Sequence, residues 1–218
     1  MTKPGLALPA LMLVTDRGLA GGEDALVRKV RESVEGGVSV VQLREKDLND
    51  ETLLRLAERI KAAIDGRALF IVNGSLDVAL AIGADGIHLP EAMPALRKRA
   101  KGLIVGRSVH SAEAAKLAEQ SGADYAVFGP VYETRRHAGV PATGLGELSD
   151  VVKAVSIPVV AIGGVLITRV AAIMDANAAG VAVISAILGS PSPHEAASAI
   201  RRELQTYEHH FERQASRT

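Results

Sequence analysis

The hydrophobic pattern of the chain repeats one two-part unit. Short β-branched, almost wholly apolar runs alternate with longer Ala-, Leu-, Glu- and Arg-rich segments at helical spacing. The apolar runs are LMLVT (11–15), VSVVQLR (38–44), ALFIVN (68–73), DGIHLP (85–90), LIVGRS (103–108), YAVFGPV (125–131), IPVVAIGG (157–164) and GVAVIS (180–185). Such continuity suits parallel strands buried on both faces. Helices are expected near 24–35, 50–64, 75–82, 91–100, 111–121, 146–155, 168–176 and 193–212. Four of them close with a related phrase, EGGVSVV, AIGADGIHL, QSGADYAVF and NAAGVAVI. Each puts Gly or Asn at a helix C-terminus just before a strand. Eight strand–helix pairs predict an α/β fold, a single (β/α)8 TIM barrel. The barrel should occupy about residues 10–205, with frayed ends on either side and the tail RQASRT outside it. An open doubly wound sheet competes, but no G-x-G-x-x-G follows the first strand.

Composition narrows the function classes. Acidic and basic residues balance at 25 each. No basic face points to nucleic acid, and no apolar run is long enough to span a bilayer. No charged leader precedes an apolar core segment, so a cytoplasmic protein is expected. Cysteine is absent, which removes disulfides, thiolate nucleophiles and cysteine metal sites.

In a barrel of this kind chemistry gathers where strands end. The second strand ends QLREK. By alternation Gln42, Arg44 and Lys46 share a face if the strand persists that far, with Leu43 and Glu45 on the other. Two cations crowded at a barrel mouth call for an anion, and the Arg fork suits phosphate or carboxylate. A solvated strand end with Glu45 and Asp47 as partners is the alternative. After strands seven and eight, Gly163, Gly164, Ile184 and Ser185 offer backbone N–H groups to a phosphate. The loop after strand six is long and carries Glu133, Thr134, Arg135, Arg136 and His137. After strand five, Ser108 should lie near the mouth and Ser111 should cap a helix. His110 is either an acid/base group or a residue packed near that cap. His88 reads as a satisfied core histidine. No metal-ligand cluster has good spacing, and the His209-His210 pair reads as a solvated helix end.

Taken in order, VVQLREKD, DVALAIGADGIHL, GRSVHS, DYAVFGPVYET, IPVVAIGGV and GVAVISAI resemble the thiamin phosphate synthase / TenI superfamily over about residues 10–205. The resemblance implies roles. Gln42, Arg44, Lys46, Asn73 and Ser108 match positions that hold an aminopyrimidine diphosphate. Gly164, Ile184 and Ser185 match a thiazole-phosphate cradle, which Thr134 also touches. The synthase pattern has an Mg2+-binding aspartate where Gly74 stands and a second where Met93 stands. His137 replaces a loop lysine. VNG, HLP and GRSVHS look more like the TenI branch, yet Pro130 occupies that branch's catalytic histidine position. The expectation is therefore a metal-independent thiazole tautomerase that shifts a proton on carboxythiazole phosphate, with His110, Glu133 or His137 moving it. One alternative is thiamin phosphate synthase, for which alone Mg2+ would be a cofactor. Another is a non-catalytic phosphate-ligand-binding regulatory protein. The expected partners are small phosphorylated thiazoles or pyrimidines, with no nucleic acid or membrane. The family's frequent oligomerisation adds a homo-oligomer.

Overall fold

The computed structural model describes residues 5–96, 102–134, 141–209 and 211. Eight parallel strands close into a barrel in sequence order. They are β1 Ala10–Val14, β2 Val40–Leu43, β3 Leu69–Asn73, β4 Gly86–Leu89, β5 Ile104–Val109, β6 Tyr125–Phe128, β7 Val159–Ile162 and β8 Gly180–Val183. Closure is made by β1 against β8, with Leu11 beside Val181. The helices are α1 Arg17–Ala20, α2 Glu23–Glu35, α3 Asp50–Ile64, α4 Leu76–Ala81, α5 Ala112–Gln120, α6 Gly144–Ala154, α7 Ile167–Asp175, α8 Ser185–Leu188 and α9 Pro193–Gln205. None of the described helices is long and apolar enough to cross a membrane.

Two apolar layers explain the continuous strand runs. Outward residues such as Leu11, Val41, Val72, Ile87 and Phe128 pack under the helices in one large core. Inward residues Met12, Val40, Ile71, Ile104, Tyr125, Val160 and Ala182 form a second core inside the barrel. The Tyr125 ring needs room there, and Gly106 supplies it. A Cβ at Gly106 would lie 2.1 Å from the ring.

The repeated helix-end phrases have a double use. Gly37, Gly83, Gly122 and Asn177 hold positive φ where each helix turns back, as the C-cap rule requires. The polar residue that follows then ties the next strand to its predecessor. Ser39 accepts from Leu11 N–H at 3.1 Å, Asp85 from Phe70 N–H at 2.7 Å and Asp124 from Val105 N–H at 2.7 Å. Helix starts follow from side-chain caps. Asn49, Ser75 and the expected Ser111 each accept an N–H of the first turn.

The helical pattern misleads in four places. Residues 91–96 are turn and irregular backbone instead of the start of a helix over 91–100. Pro94 supplies no N–H there, and Arg107 takes the carbonyls of Glu91, Met93 and Pro94. The short helices α1 and α8 have too few residues to show a period. The last helix, expected over 193–212, ends at Gln205, turns at Thr206 and Tyr207, and is followed by helical backbone again at Glu208, His209 and Phe211.

Candidate active site

Along the inner face the residues turn polar toward the strand C-termini. Gln42, Asn73, His88 and Ser108 come from four adjacent strands, β2 to β5. They are knitted together. Asn73 Nδ2 donates to Gln42 Oε1 at 3.2 Å. His88 Nε2 lies 2.8 Å from Ser108 Oγ, and His88 Nδ1 lies 3.3 Å from the Tyr125 hydroxyl. His88 is the satisfied core histidine of the sequence reading. Burial first, then the nearby Arg44 and Arg107 cations, push its pKa down to about 3. Burial pushes the Tyr125 phenol well above its ordinary value. Both rings are therefore neutral at neutral pH.

The β2 end behaves differently from its sequence pattern. The strand stops at Leu43, so Lys46 sits in an exposed turn and is not aligned with Gln42 and Arg44 on a continuing strand face. Arg44 is half-buried, and desolvation lowers its pKa. Its expected carboxylate partners are engaged elsewhere. Glu45 is 8% exposed and accepts from Thr15 Oγ1 at 2.7 Å and from Arg17 N–H at 3.1 Å. The Arg17 guanidinium spans Glu45 and Asp47. That pairing raises the Arg17 pKa and holds Asp47 down to about 2. Thr15 also accepts the backbone N–H of Arg44 at 2.9 Å, which fixes where β2 ends. Among the described residues no hydrogen bond or ion pair engages the Arg44 guanidinium. A cleft of about 360 Å3 opens between residues 16–18 and 44–47. Three acids and three bases line it, but Arg17 already holds two of the acids. The Glu45 carboxylate still attracts the Arg44 cation through space, but burial outweighs that attraction; a half-buried guanidinium without a hydrogen-bonded counter-ion is costly, and an incoming anion relieves that cost.

At the β4 and β5 ends, Glu91 Oε2 lies 2.7 Å from His110 Nδ1. Both side chains reach solvent, at 59% for His110 and 41% for Glu91. Arg107 holds the Glu91 carbonyl at 3.0 Å and so fixes the loop that presents the carboxylate. The arrangement ties His110 Nδ1 to an acid on a largely exposed ring. Of the other acid/base candidates, Glu133 is exposed and His137 lies outside the described residues.

The β7 and β8 ends are built from backbone. Gly163 and Gly164 have φ of +99° and +61°. The sequence reading credits these glycines with admitting a ligand, but the close neighbour is the protein's own chain. A Cβ on Gly163 would lie 2.6 Å from Pro130 Cα, and one on Gly164 would lie 2.6 Å from the Glu133 carbonyl oxygen. Val131 and Tyr132 N–H donate to Ile162 and Gly163 carbonyls at 2.9 and 3.1 Å, drawing the loop after β6 against β7. Arg169 secures the corner. It donates to the Gly164 carbonyl at 2.6 Å and lies 4.4 Å over the Tyr132 ring. Ile184 precedes α8, so Ser185 and Ala186 present first-turn N–H groups with no intrahelical acceptor. Thr134, half-buried, ends the described part of the loop.

The residues present do not fit a divalent magnesium site. Gly74 offers no donor side chain, and its φ of +83° disfavours one. The Met93 side chain packs against the outer apolar core. Glu91, the remaining carboxylate there, is engaged by His110. Among the described residues no group of three His, Cys, Asp or Glu side chains could hold a metal ion. Mg2+ asks for oxygen ligands in near-octahedral array, and among the described residues the β3 and β4 ends supply one carboxylate, Glu91.

Fold and rim together define a TIM barrel with a polar mouth, made of side chains on β2 to β5 and of backbone on β7 and β8. The family profile described as Thiamine monophosphate synthase (TMP-TENI) matches residues 11–187, and the chain belongs to that family. A protein of Geobacter sulfurreducens named putative thiamine-phosphate synthase is 44% identical over 198 residues, covering 88% of this chain and 92% of the relative. The thiamine-phosphate synthase of Pyrococcus abyssi is 39% identical over 199 residues, covering 89% and 94%. Among solved structures, the thiamine phosphate pyrophosphorylase of Pyrococcus furiosus superposes with a TM-score of 0.82 at 35% identity, covering 90% of this chain and 96% of that one. These relatives carry the synthase name, so the expected placement in the TenI branch gives way to the family as a whole.

Sequence reasoning missed Tyr125, Arg17, Arg107 and Arg169. None of the four carries a local signal, because each works through a neighbour distant in sequence. Asp16-Arg17 opposite Glu45-Lys46-Asp47 could have been found by asking which cation the β2 acids serve.

Proposed function

We propose that the chain is a thiamine-phosphate synthase-type transferase, joining a thiazole phosphate to an aminopyrimidine diphosphate. The thiazole ring nitrogen would form a bond to the pyrimidine methylene carbon. The carbon–oxygen bond to diphosphate would break, with its electron pair leaving on the diphosphate. No proton needs to be lost at the new bond, so the demand on the protein is to hold two phosphorylated partners in line and to stabilise a leaving anion. The observation that carries this reading is the half-buried, unpaired Arg44 beside a cleft of small-molecule size, in a chain 39–44% identical to proteins named for this activity. Arg44 and Lys46 would take the diphosphate. Gln42, Asn73 and Ser108 would orient the pyrimidine. Backbone N–H groups near Gly164, Ile184 and Ser185, with Thr134, would hold the thiazole phosphate. With no fitting magnesium site on this rim, no step is routed through a metal.

One observation favours a second reading. The Glu91–His110 pair is a ready acid/base group, and a proton shift on carboxythiazole phosphate needs such a group and a phosphate anchor only. Four parallel incubations separate the two. The protein is given thiazole phosphate with aminopyrimidine diphosphate, and separately the carboxythiazole phosphate, each with magnesium and with chelator. Formation of thiamine phosphate and diphosphate supports the synthase. Isomerisation of the carboxythiazole alone, without coupling, would replace it with the tautomerase.

A further inference from the structure

We infer that Tyr125 is a positioning residue that fixes the tautomer of His88 and thereby makes Ser108 an obligate hydrogen-bond donor at the barrel mouth. Three groups lie in a row along the barrel interior, the Tyr125 hydroxyl, the His88 ring and the Ser108 hydroxyl, at 3.3 and 2.8 Å. The first two residues are buried, at 0% and 1% exposure, and Ser108 lies at the edge of solvent.

The direction of the row follows from proton counting. A buried phenol keeps its proton and must donate it. The His88 Nδ1 atom is in reach at 3.3 Å, while the nearby Gln42 amide is engaged elsewhere, its Oε1 accepting from Asn73 Nδ2 and its Nε2 donating to Met12 Sδ. A neutral imidazole has one N–H, so a ring that accepts at Nδ1 carries its proton on Nε2. Nε2 faces Ser108 Oγ, which therefore accepts from the ring. The serine hydroxyl proton cannot point back at an N–H, so it points to the mouth. Neutrality of the ring is secured by burial first and then by the nearby Arg44 and Arg107 cations. Gly106 completes the device, since a side chain there would displace the Tyr125 ring.

The ligand atom that receives the Ser108 proton is thus an acceptor, such as a phosphoryl oxygen or an unprotonated ring nitrogen. That clause rests on Ser108 facing the substrate, as proposed above. The tautomer does not, which keeps the two claims separable.

The test is nitrogen-15 NMR of the unmodified, histidine-labelled protein at neutral pH. The His88 ring should show a pyrrole-type Nε2 and a pyridine-type Nδ1. The reverse assignment, or a charged ring, overturns the proposal whether or not any variant folds. In Tyr125→Phe the preference should collapse toward a mixture of tautomers. Aminopyrimidine diphosphate affinity, read by calorimetry, should then fall about five- to tenfold, corresponding to about 1 kcal/mol for one neutral hydrogen bond. In a Ser108→Ala background the same tyrosine change should cost nothing further in affinity. An equal loss in both backgrounds would mean that Tyr125 only fills space. Failure of the parent protein to bind the diphosphate, with the expected tautomer present, would refute the functional reading and leave the relay standing.

Discussion

The two sides of the barrel mouth are made of different materials. From β2 to β5 the rim is side chain, with Gln42, Arg44, Asn73, His88, Ser108, Glu91 and His110 supplying charge and directed hydrogen bonds. From β6 to β8 it is backbone, with glycine at positive φ and a loop drawn against β7. A backbone cradle recognises the tetrahedral anion and little else. It keeps working while its sequence stays small, and it does not titrate. A side-chain rim can carry residues as different as Gly74 and Met93 at its strand ends without disturbing the barrel. On the proposed reading, a substitution on the β2–β5 side changes charge and directed hydrogen bonds, whereas one on the β6–β8 side changes backbone shape.

Breaking the backbone side should have the largest effect. Gly163→Ala forces a Cβ to within 2.6 Å of Pro130 Cα at a φ of +99°. Strain and overpacking there should cost about 3 kcal/mol of stability. Urea unfolding should show it, together with loss of thiazole-phosphate binding. A variant as stable as the parent would mean that the β6 loop yields easily and that the corner is not rigid. The Gly164→Val change acts on the same corner, so its effect on phosphate affinity mixes ligand exclusion with displacement of the Tyr132–Glu133 backbone.

On the side-chain half the largest single loss should come from Arg44→Ala. A charge-assisted bond to a phosphoryl group contributes about 2 kcal/mol, or roughly thirtyfold in affinity. Thermal stability should hold or rise slightly, because a desolvated cation without a partner is removed. Calorimetry with inorganic diphosphate measures the first and a melting curve the second. Undiminished affinity would move the anion site away from β2.

A third contrast is in pH. The His88 pKa is about 3 in the folded chain and near 6.5 in the unfolded one. Between those values the unfolded state binds the extra proton, so stability is full above pH 6.5 and falls as pH drops toward 3. The slope from this group is about 1.4 kcal/mol per pH unit, or about 2 kcal/mol by pH 5. Comparison with His88→Gln isolates the histidine. If parent and variant have parallel stability–pH curves from 7 to 5, the ring is not buried neutral.

What was legible in the sequence divides along the same line. Apolar continuity and Gly/Asn helix ends foretold eight strands and the barrel, because burial on both faces and positive φ constrain residue types locally. The glycine pair of β7 could be read for the same reason, though its neighbour turned out to be Pro130 and Glu133 rather than a ligand alone. Arg44 and Lys46 were legible as cations at a mouth. Their relation to Glu45 was not, since the partner of that acid, Arg17, comes from a different strand's loop. The helix expected from Glu91 onward failed because Arg107, sixteen residues away, takes its carbonyls. Tertiary hydrogen bonds of this kind leave no periodic trace.

The smallest expected effect separates the two functional readings. In Glu91→Gln the side chain still reaches His110 but no longer carries charge. The pair is exposed to solvent, so its electrostatic worth is within about 1 kcal/mol. If the protein couples two substrates, the proton on His110 takes no part in bond making, and kcat should fall less than about threefold while Arg44→Ala abolishes most turnover. If His110 instead moves a proton, the acid that orients it matters to the rate, and general acid–base catalysis contributes about a hundredfold or more. Glu91→Gln and His110→Asn should then fall together and by far more than threefold. Measured side by side on the same two assays, the ratio of the Arg44 effect to the Glu91 effect assigns the side-chain half of the mouth to anion departure or to proton transfer.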